Sequence, residues 1–183
     1  MIYFTSDLHF GHEAVIRMCN RPFGSVEEMN ETLIENWNKV VRGNDDVYIL
    51  GDLFYRLEQP PEEILKRLKG RKHLVFGNHD KSWKDKVCLS DYFVEWGDYL
   101  VVNTGNGKAT LCHYPQLHGE GIHLIHGHLH NRRSEWYWAF YKDFDRALNA
   151  GVDVNAFRPV SISQLIENNR RFKEAGDSSL RSE

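Results

Sequence analysis

Residues 47–80 read VYILGDLFYRLEQPPEEILKRLKGRKHLVFGNHD, and their order decides the fold class. Residues 47–50 are an unbroken apolar run of strand length that ends in Gly51-Asp52. Pro60-Pro61-Glu62-Glu63 then opens a helix that the spacing carries to Lys69, where Gly70 stops it. A second apolar run at 73–76 ends in Gly77-Asn78-His79-Asp80. Strand, helix and strand in this order predict an α/β unit with at least partly parallel pairing.

Working outward, residues 1–5 form a short apolar and aromatic strand that turns polar at Ser6. Ser25-Val26-Glu27-Glu28 fits a capping box, and Met29, Leu33, Trp37 and Val40 follow at three- to four-residue spacing. A helix over 25–41, stopped by Gly43 and Asn44, is therefore expected. Beyond residue 90 the style changes to closely spaced strands at 92–95, 99–103, 108–112 and 123–126, with a hairpin at 103–107. A last helix is expected near 161–168, and the polar stretch 170–183 reads as a fraying tail. One domain over 1–169 results, built as a two-sheet sandwich flanked by helices.

Composition narrows the function classes. With 183 residues, 41% apolar and 27% charged, the chain has the make-up of a globular protein with a sizeable core. A net charge of −3 gives no broad basic footprint, so sequence-independent nucleic-acid binding is not favoured. The opening MIYFTSDLHF shows no basic stretch followed by a long apolar run, and no membrane span is visible, which makes a cytoplasmic location the default expectation. Cys19, Cys88 and Cys112 are odd in number and far apart, which suits reduced buried thiols better than a disulfide framework or a CxxC zinc site. Nothing sets an oligomeric state.

Chemistry gathers where the predicted strands end. Asp7-Leu8-His9, Gly51-Asp52, Gly77-Asn78, His113 and Gly127-His128-Leu129-His130 all sit at such ends. A two-residue spacing on an extended chain would put Asp7 with His9, and His128 with His130, on one side. Glycines at 51, 77 and 127 permit sharp turns and close approach. Carboxylate, amide oxygen and imidazole without thiolate suit Mn²⁺, Fe or Zn²⁺ rather than a structural zinc finger. Asp7, His9, Asp52, Asn78, His113, His128 and His130 are too many for one tetrahedral ion. They suit two divalent ions roughly 3.5–4 Å apart, with Asp52 as the natural bridge.

The order D-x-H, G-D, G-N-H-D, H, G-H-x-H across residues 7–130 resembles the calcineurin-like metallophosphoesterase superfamily. The resemblance implies a four-layer αββα sandwich of two mixed β-sheets flanked by helices. It further implies Asp7, His9, Asp52 and His130 around one metal, and Asp52, Asn78, His113 and His128 around the other. His79 would stabilise the transition state or protonate the leaving oxygen, and Asp80 would orient the His79 ring. The opening MIYFTSDLHFGHEAVI and the block Cys112-His113-Tyr114-Pro115 resemble small bacterial and phage members. One departure matters. Protein serine/threonine phosphatases continue G-D into D-R-G, whereas Leu53-Phe54-Tyr55-Arg56 follows here, which argues against a phosphoprotein substrate.

Other polar residues are weighed against ordinary structural roles. His12 follows Gly11 and is placed either beside the site or at a helix start. Arg21, Arg56 and Arg158 are candidates, with Asn78 and His12, for gripping substrate oxygens. His73, His118, His123 and His126 fall at no motif position and read as structural. Trp136-Tyr137-Trp138 reads as core or strand packing, with base stacking as the alternative. The expected function is hydrolysis of a small phosphodiester or phosphomonoester by in-line attack of a hydroxide bridging two metals. The alternatives are a nuclease acting on nucleic-acid ends and a non-catalytic scaffold on the same fold.

Overall fold

A computed structural model describes residues 1–57 and 59–175. Its first sheet has the order β1 (Ile2–Thr5), β2 (Asp46–Leu50), β3 (Arg71–Val75), β4 (Phe93–Gly97), each neighbouring pair being parallel. The second runs β5 (Tyr99–Asn103), β6 (Lys108–Cys112), β7 (His123–His126), β8 (Ala147–Asn149). The expected hairpin joins β5 to β6 antiparallel, while β6, β7 and β8 pair parallel. Only the second sheet is therefore mixed. Among the described residues, strands of the first take an antiparallel partner solely at the isolated bridge between Phe4 and Val160. The parallel arrangement follows from the crossovers α1 (Glu13–Met18), α2 (Val26–Val40) and α3 (Pro61–Leu65), which return the chain to the same sheet end.

Strands β1, β2 and β3 are largely buried on both faces, whereas the edge strand β4 is exposed from Val94 to Trp96. Val47, Ile49 and Leu74 meet Met29, Leu33 and Trp37 of α2, while Phe4, Leu50 and Val75 meet Val102, Ala109, Leu111, Ile125 and Leu148 across the gap between sheets. The outer side of the second sheet carries α4 (Trp138–Tyr141), whose Tyr141 packs with Leu129 and Ala147. The helix α5 (Ile162–Glu174) closes the edge shared by β8 and β1. Mixed α/β layers with two sheets between helices agree with the expectation. No helix among the described residues is long and apolar enough to cross a membrane.

Three elements depart from the sequence reading. Helix α2 starts as predicted, with Ser25 accepting from the Glu28 amide, but α3 ends at Leu65 rather than Lys69. The reason lies on α2: the Trp37 indole donates to the Lys69 carbonyl, and Asn38 bonds both the Arg67 carbonyl and the Lys69 amide. Those bonds replace the ones a longer helix would make. In contrast α5 outruns its expected end at residue 168 and takes in residues 170–174 of the supposed tail. Asn169 bonds the backbone of Asn149, and the Lys173 ammonium donates to the carbonyls of Phe144 and Ala147, so polar side chains are buried by serving β8. The rest of that stretch, 176–183, lies outside the described residues. Trp136-Tyr137-Trp138 forms no strand. Trp138 opens α4, and Trp136 is 83% exposed.

Candidate metal centre

Five strand ends deliver the seven predicted ligands to one place. β1 leads to Asp7 and His9, β2 to Asp52, β3 to Asn78, β6 to His113, and β7 to His128 and His130. The backbone is not extended there, as the two-residue spacing suggests. Asp7, His9, Asp52, His128 and His130 all have left-handed φ, from 50° to 68°. Each such turn costs a non-glycine residue about 1–2 kcal/mol, and strain concentrated on five would-be ligands marks a site that the surrounding fold enforces. Gly51, at φ 87°, leaves no room for a side chain, because a Cβ there would stand 2.5 Å from His113 Nδ1 and 2.6 Å from the Gly77 nitrogen. At Gly77 a Cβ would collide with Asp52 Oδ1.

Three groups of potential ligands have their atoms within 4.8 Å of one another: the triads Asp7 with His9 and His130, and Asp52 with His113 and His128, and behind the first of them Cys19 with His130 and Asp153. Asp52 Oδ2 stands 3.6 Å from His9 Nε2 and 3.5 Å from His113 Nε2, too far for a hydrogen bond to either. His9 Nε2 is buried without any hydrogen-bond partner. An orphaned imidazole nitrogen facing a shared carboxylate oxygen fits a cation between them, and oxygen and nitrogen donors throughout suit a borderline divalent ion. The outer ring nitrogens are occupied: His113 Nδ1 meets the Leu50 carbonyl at 2.8 Å and His130 Nδ1 meets Asp153 Oδ2 at 2.8 Å. Their Nε2 atoms are thereby left for the centre. Asn78 Oδ1 lies 3.0 Å from His113 Nε2 and 3.1 Å from His128 Nδ1.

The electrostatics are those of a crowded, dry site. Burial raises the Asp7 carboxyl above its ordinary range. Burial, reinforced by the positive charge of His130 and Arg21, drives His9 well below the ordinary imidazole value. Burial also opposes charge on His130, but its bonds to Asp153 and Cys19 and the charge of Asp7 outweigh this and hold it at about 10. His12 sinks to about 4, by burial first and then by the charge of His79 and Arg21.

Around the triads the structure sorts the remaining candidates. His79 sits at the mouth with its side chain 37% exposed, its amide donating to Asp52 Oδ1 at 2.9 Å and its Nε2 4.0 Å from Asp52 Oδ2. Asp80 does not touch that ring. Its side chain is fully buried and accepts from the amides of Asp52, Leu53 and Gly77 and from the Trp83 indole, at 2.7–3.1 Å. It therefore ties the Gly51-Asp52 and Gly77-Asn78 turns together. His12 joins the site after all, 3.3 Å from His9 Nδ1 and stacked on Tyr55 with centroids 3.8 Å apart.

Arg21 is buried against Asp153 and donates to the carbonyls of Asp7 and Leu8, so it cannot reach substrate. Arg158 lies on an exposed face beside Ser163 and Glu167, away from the centre. Arg56 remains, exposed at the rim of a cavity of about 410 Å³ shared with Tyr55, Asn78, His79, Lys81 and Ser82. His73 and His126 are structural as expected, the first between Asp46 and Glu95, the second between the Gly127 carbonyl and the Tyr141 hydroxyl. Neither His118 nor His123 enters a triad. The sequence reading missed Asp153, Tyr55 and Tyr114, whose ring lies edge-on to His113 and His128. Tyr55 and Tyr114 adjoin motif blocks, which was their only signal.

The calcineurin-like phosphoesterase family model matches residues 1–174. The chain belongs to that family. An uncharacterized protein of Methanocaldococcus jannaschii is 38% identical over 173 residues, covering 91% of this chain and 89% of its own. The gene 66 protein of Mycobacterium phage D29 is 30% identical over 160 residues, 72% of this chain and 79% of its own. Among solved structures, a protein of unknown function from Aquifex aeolicus superposes with a TM-score of 0.71 at 31% identity, covering 91% of this chain and 98% of its own. The family's chemistry, metal-dependent hydrolysis of phosphate esters, accords with the two triads.

Proposed function

We propose that the chain hydrolyses phosphodiesters at a dinuclear centre held by Asp7, His9, Asp52 and His130 on one side and by Asp52, Asn78, His113 and His128 on the other. One observation carries the reading: Asp52 Oδ2 lies about equally far, 3.6 and 3.5 Å, from two buried imidazole nitrogens and hydrogen-bonds to neither. A carboxylate in that position could serve two cations at once. Mn²⁺, Fe or Zn²⁺ bound there would lower the pKa of water and neutralise charge on the transferring phosphate.

The chain's own groups do the rest. His79, partly exposed at the mouth, is placed to give a proton to the leaving oxygen or to stabilise charge building on it. Asp52 holds the His79 backbone and so fixes that ring relative to the centre. The open cavity beside His79 has room for the second ester group of a diester. Purified protein reconstituted with Mn²⁺ should take up two ions per chain and cleave bis(p-nitrophenyl) phosphate faster than p-nitrophenyl phosphate. His79→Ala should lower turnover about 10²–10⁴-fold while both ions stay bound. Uptake of a single ion, or undiminished turnover in that variant, would refute the assignment.

A second reading, a nuclease acting on nucleic-acid ends, is favoured by Arg56 and Lys81. Both line the cavity beside His79, and neither pairs with a carboxylate among the described residues. Hydrolysis of a short single-stranded oligonucleotide with a steep loss of rate on adding salt would support it.

A further inference from the structure

Asp153 lies beyond the last motif, in the turn after β8, yet its carboxylate is 1% exposed and sits against His130. Its Oδ2 is 2.8 Å from His130 Nδ1, and its two oxygens receive Arg21 Nε at 2.8 Å and Nη2 at 3.1 Å. The same guanidinium donates to the carbonyl of Leu8 at 2.9 Å and to that of Asp7 at 2.6 Å. One buried arginine thus grips the turn that bears Asp7 and His9 and, through Asp153, the ring of His130. These are the three residues of one triad. The other face of His130 is held as well: Asn149 Nδ2 donates to its backbone carbonyl at 2.8 Å, and Asn149 is itself bonded by Asn169 of α5.

Building on the metal reading above, we infer that Asp153 is a positioning residue for that triad. By accepting from His130 Nδ1–H it presents Nε2 to the ion, and Arg21 sets Asp153 and the Asp7–His9 turn in one frame. The physical case is geometric. An imidazole free to rotate or change tautomer presents the wrong nitrogen part of the time, and partners that fix such rings typically change metal affinity about 10–100-fold. Arginine is required for the frame because its planar fork satisfies Asp153 and two carbonyls at once, which an ammonium cannot do with the same geometry. Among the described residues no hydrogen bond joins Arg21 or Asp153 to Asn78, His113 or His128, so the effect of this strut should fall on one half of the centre.

Mn²⁺ titration by calorimetry, with the stoichiometry checked by metal analysis, tests the inference. The unaltered chain should bind two ions. Asp153→Asn should weaken one binding step about 10–100-fold and spare the other. In the Zn²⁺-loaded protein, long-range ¹⁵N spectra should show His130 bound through Nε2, with exchange between ring nitrogens appearing in the variant. Asp153→Asn strands the Arg21 guanidinium in the interior, so the pair Arg21→Met with Asp153→Asn, which removes the buried cation too, is measured alongside. It should show the same one-sided loss. If both variants melt lower yet keep both binding steps and the His130 spectrum, Asp153 is a structural brace and the inference fails. If the unaltered chain takes up no metal, the dinuclear reading itself falls, a different result from two strong steps unmoved by substitution.

Discussion

The two halves of the proposed centre are built differently. The half formed by Asp7, His9 and His130 is closed in, and the Arg21–Asp153 strut braces it from behind. The half formed by Asn78, His113 and His128 faces outward. His113 is anchored to the Leu50 carbonyl, but His128 is exposed, and its ring bonds only the Asn78 side chain. On the proposed reading, the braced half would hold its ion the more tightly. The open half, beside the cavity with His79 and Arg56, is where a substrate oxygen can arrive without repacking the core.

On the proposed reading Asp52 would serve both halves, and removing its charge should erase their difference. Asp52→Asn is expected to cut hydrolysis by about 10³-fold or more and to abolish the two-ion stoichiometry, whereas His128→Ala should cost one ion alone. Metal analysis on the purified variants reads this directly. Retention of two ions by Asp52→Asn would show that the halves are independent.

Asp80 asks whether the open half has a brace of its own. Its carboxylate receives three backbone amides and the Trp83 indole, so Asp80→Ala leaves four donors unpaired in the interior. Loss of stability of about 3–5 kcal/mol in urea unfolding is expected, together with weaker binding at the Asp52–Asn78 side. A change below about 1 kcal/mol would mean that the turns hold without it.

These braces mark the limit of what the sequence discloses. Helix α2 and the β5–β6 hairpin were legible because a capping box, a regular apolar period and glycine-bearing turn residues are local signals. The candidate ligands were legible because each lies just past an apolar run. Their left-handed turns were not, since Asp and His take up such backbone more readily than most residues but still only as a minority state, and here tertiary constraint selects it. Asp153 was hidden because its partner Arg21 is 132 positions away in the chain. Asp80 was legible as a site residue but not in its role. Adjacency to His79 suggests a bond to that ring, whereas the tight turn at Asp80–Ser82 swings the carboxylate back toward Gly51 and Gly77.

Acid should loosen the G-H-L-H turn that carries ligands to both halves. His126 is buried, with Nδ1 on the Gly127 carbonyl and Nε2 on the Tyr141 hydroxyl, and burial lowers it from 6.5 to about 4. The unfolded chain therefore takes up the proton first. The stability due to neutral His126 is full above about pH 6.5 and lost as pH falls toward 4, at no more than about 1.4 kcal/mol per pH unit. At pH 5 the loss is about 2 kcal/mol. Urea unfolding from pH 7 to 5 should fall less steeply in His126→Gln than in the unaltered chain. Equal slopes would mean that His126 does not titrate differently in the two states.

The smallest effect separates a substrate contact from a bystander. Arg56 rims the open half, its guanidinium 5.3 Å over the Tyr55 ring, and it makes no ion pair among the described residues. Arg158 is equally exposed but lies against α5, beside Ser163 and Glu167. If substrate enters over the open half, Arg56→Ala should raise KM for a diester several-fold, about 1 kcal/mol of lost binding, with kcat little changed. Arg158→Ala should leave both constants where they are. Equal behaviour of the two variants would place the substrate elsewhere, and a KM effect confined to Arg158 would move its entry to the α5 side and overturn the assignment of the open half.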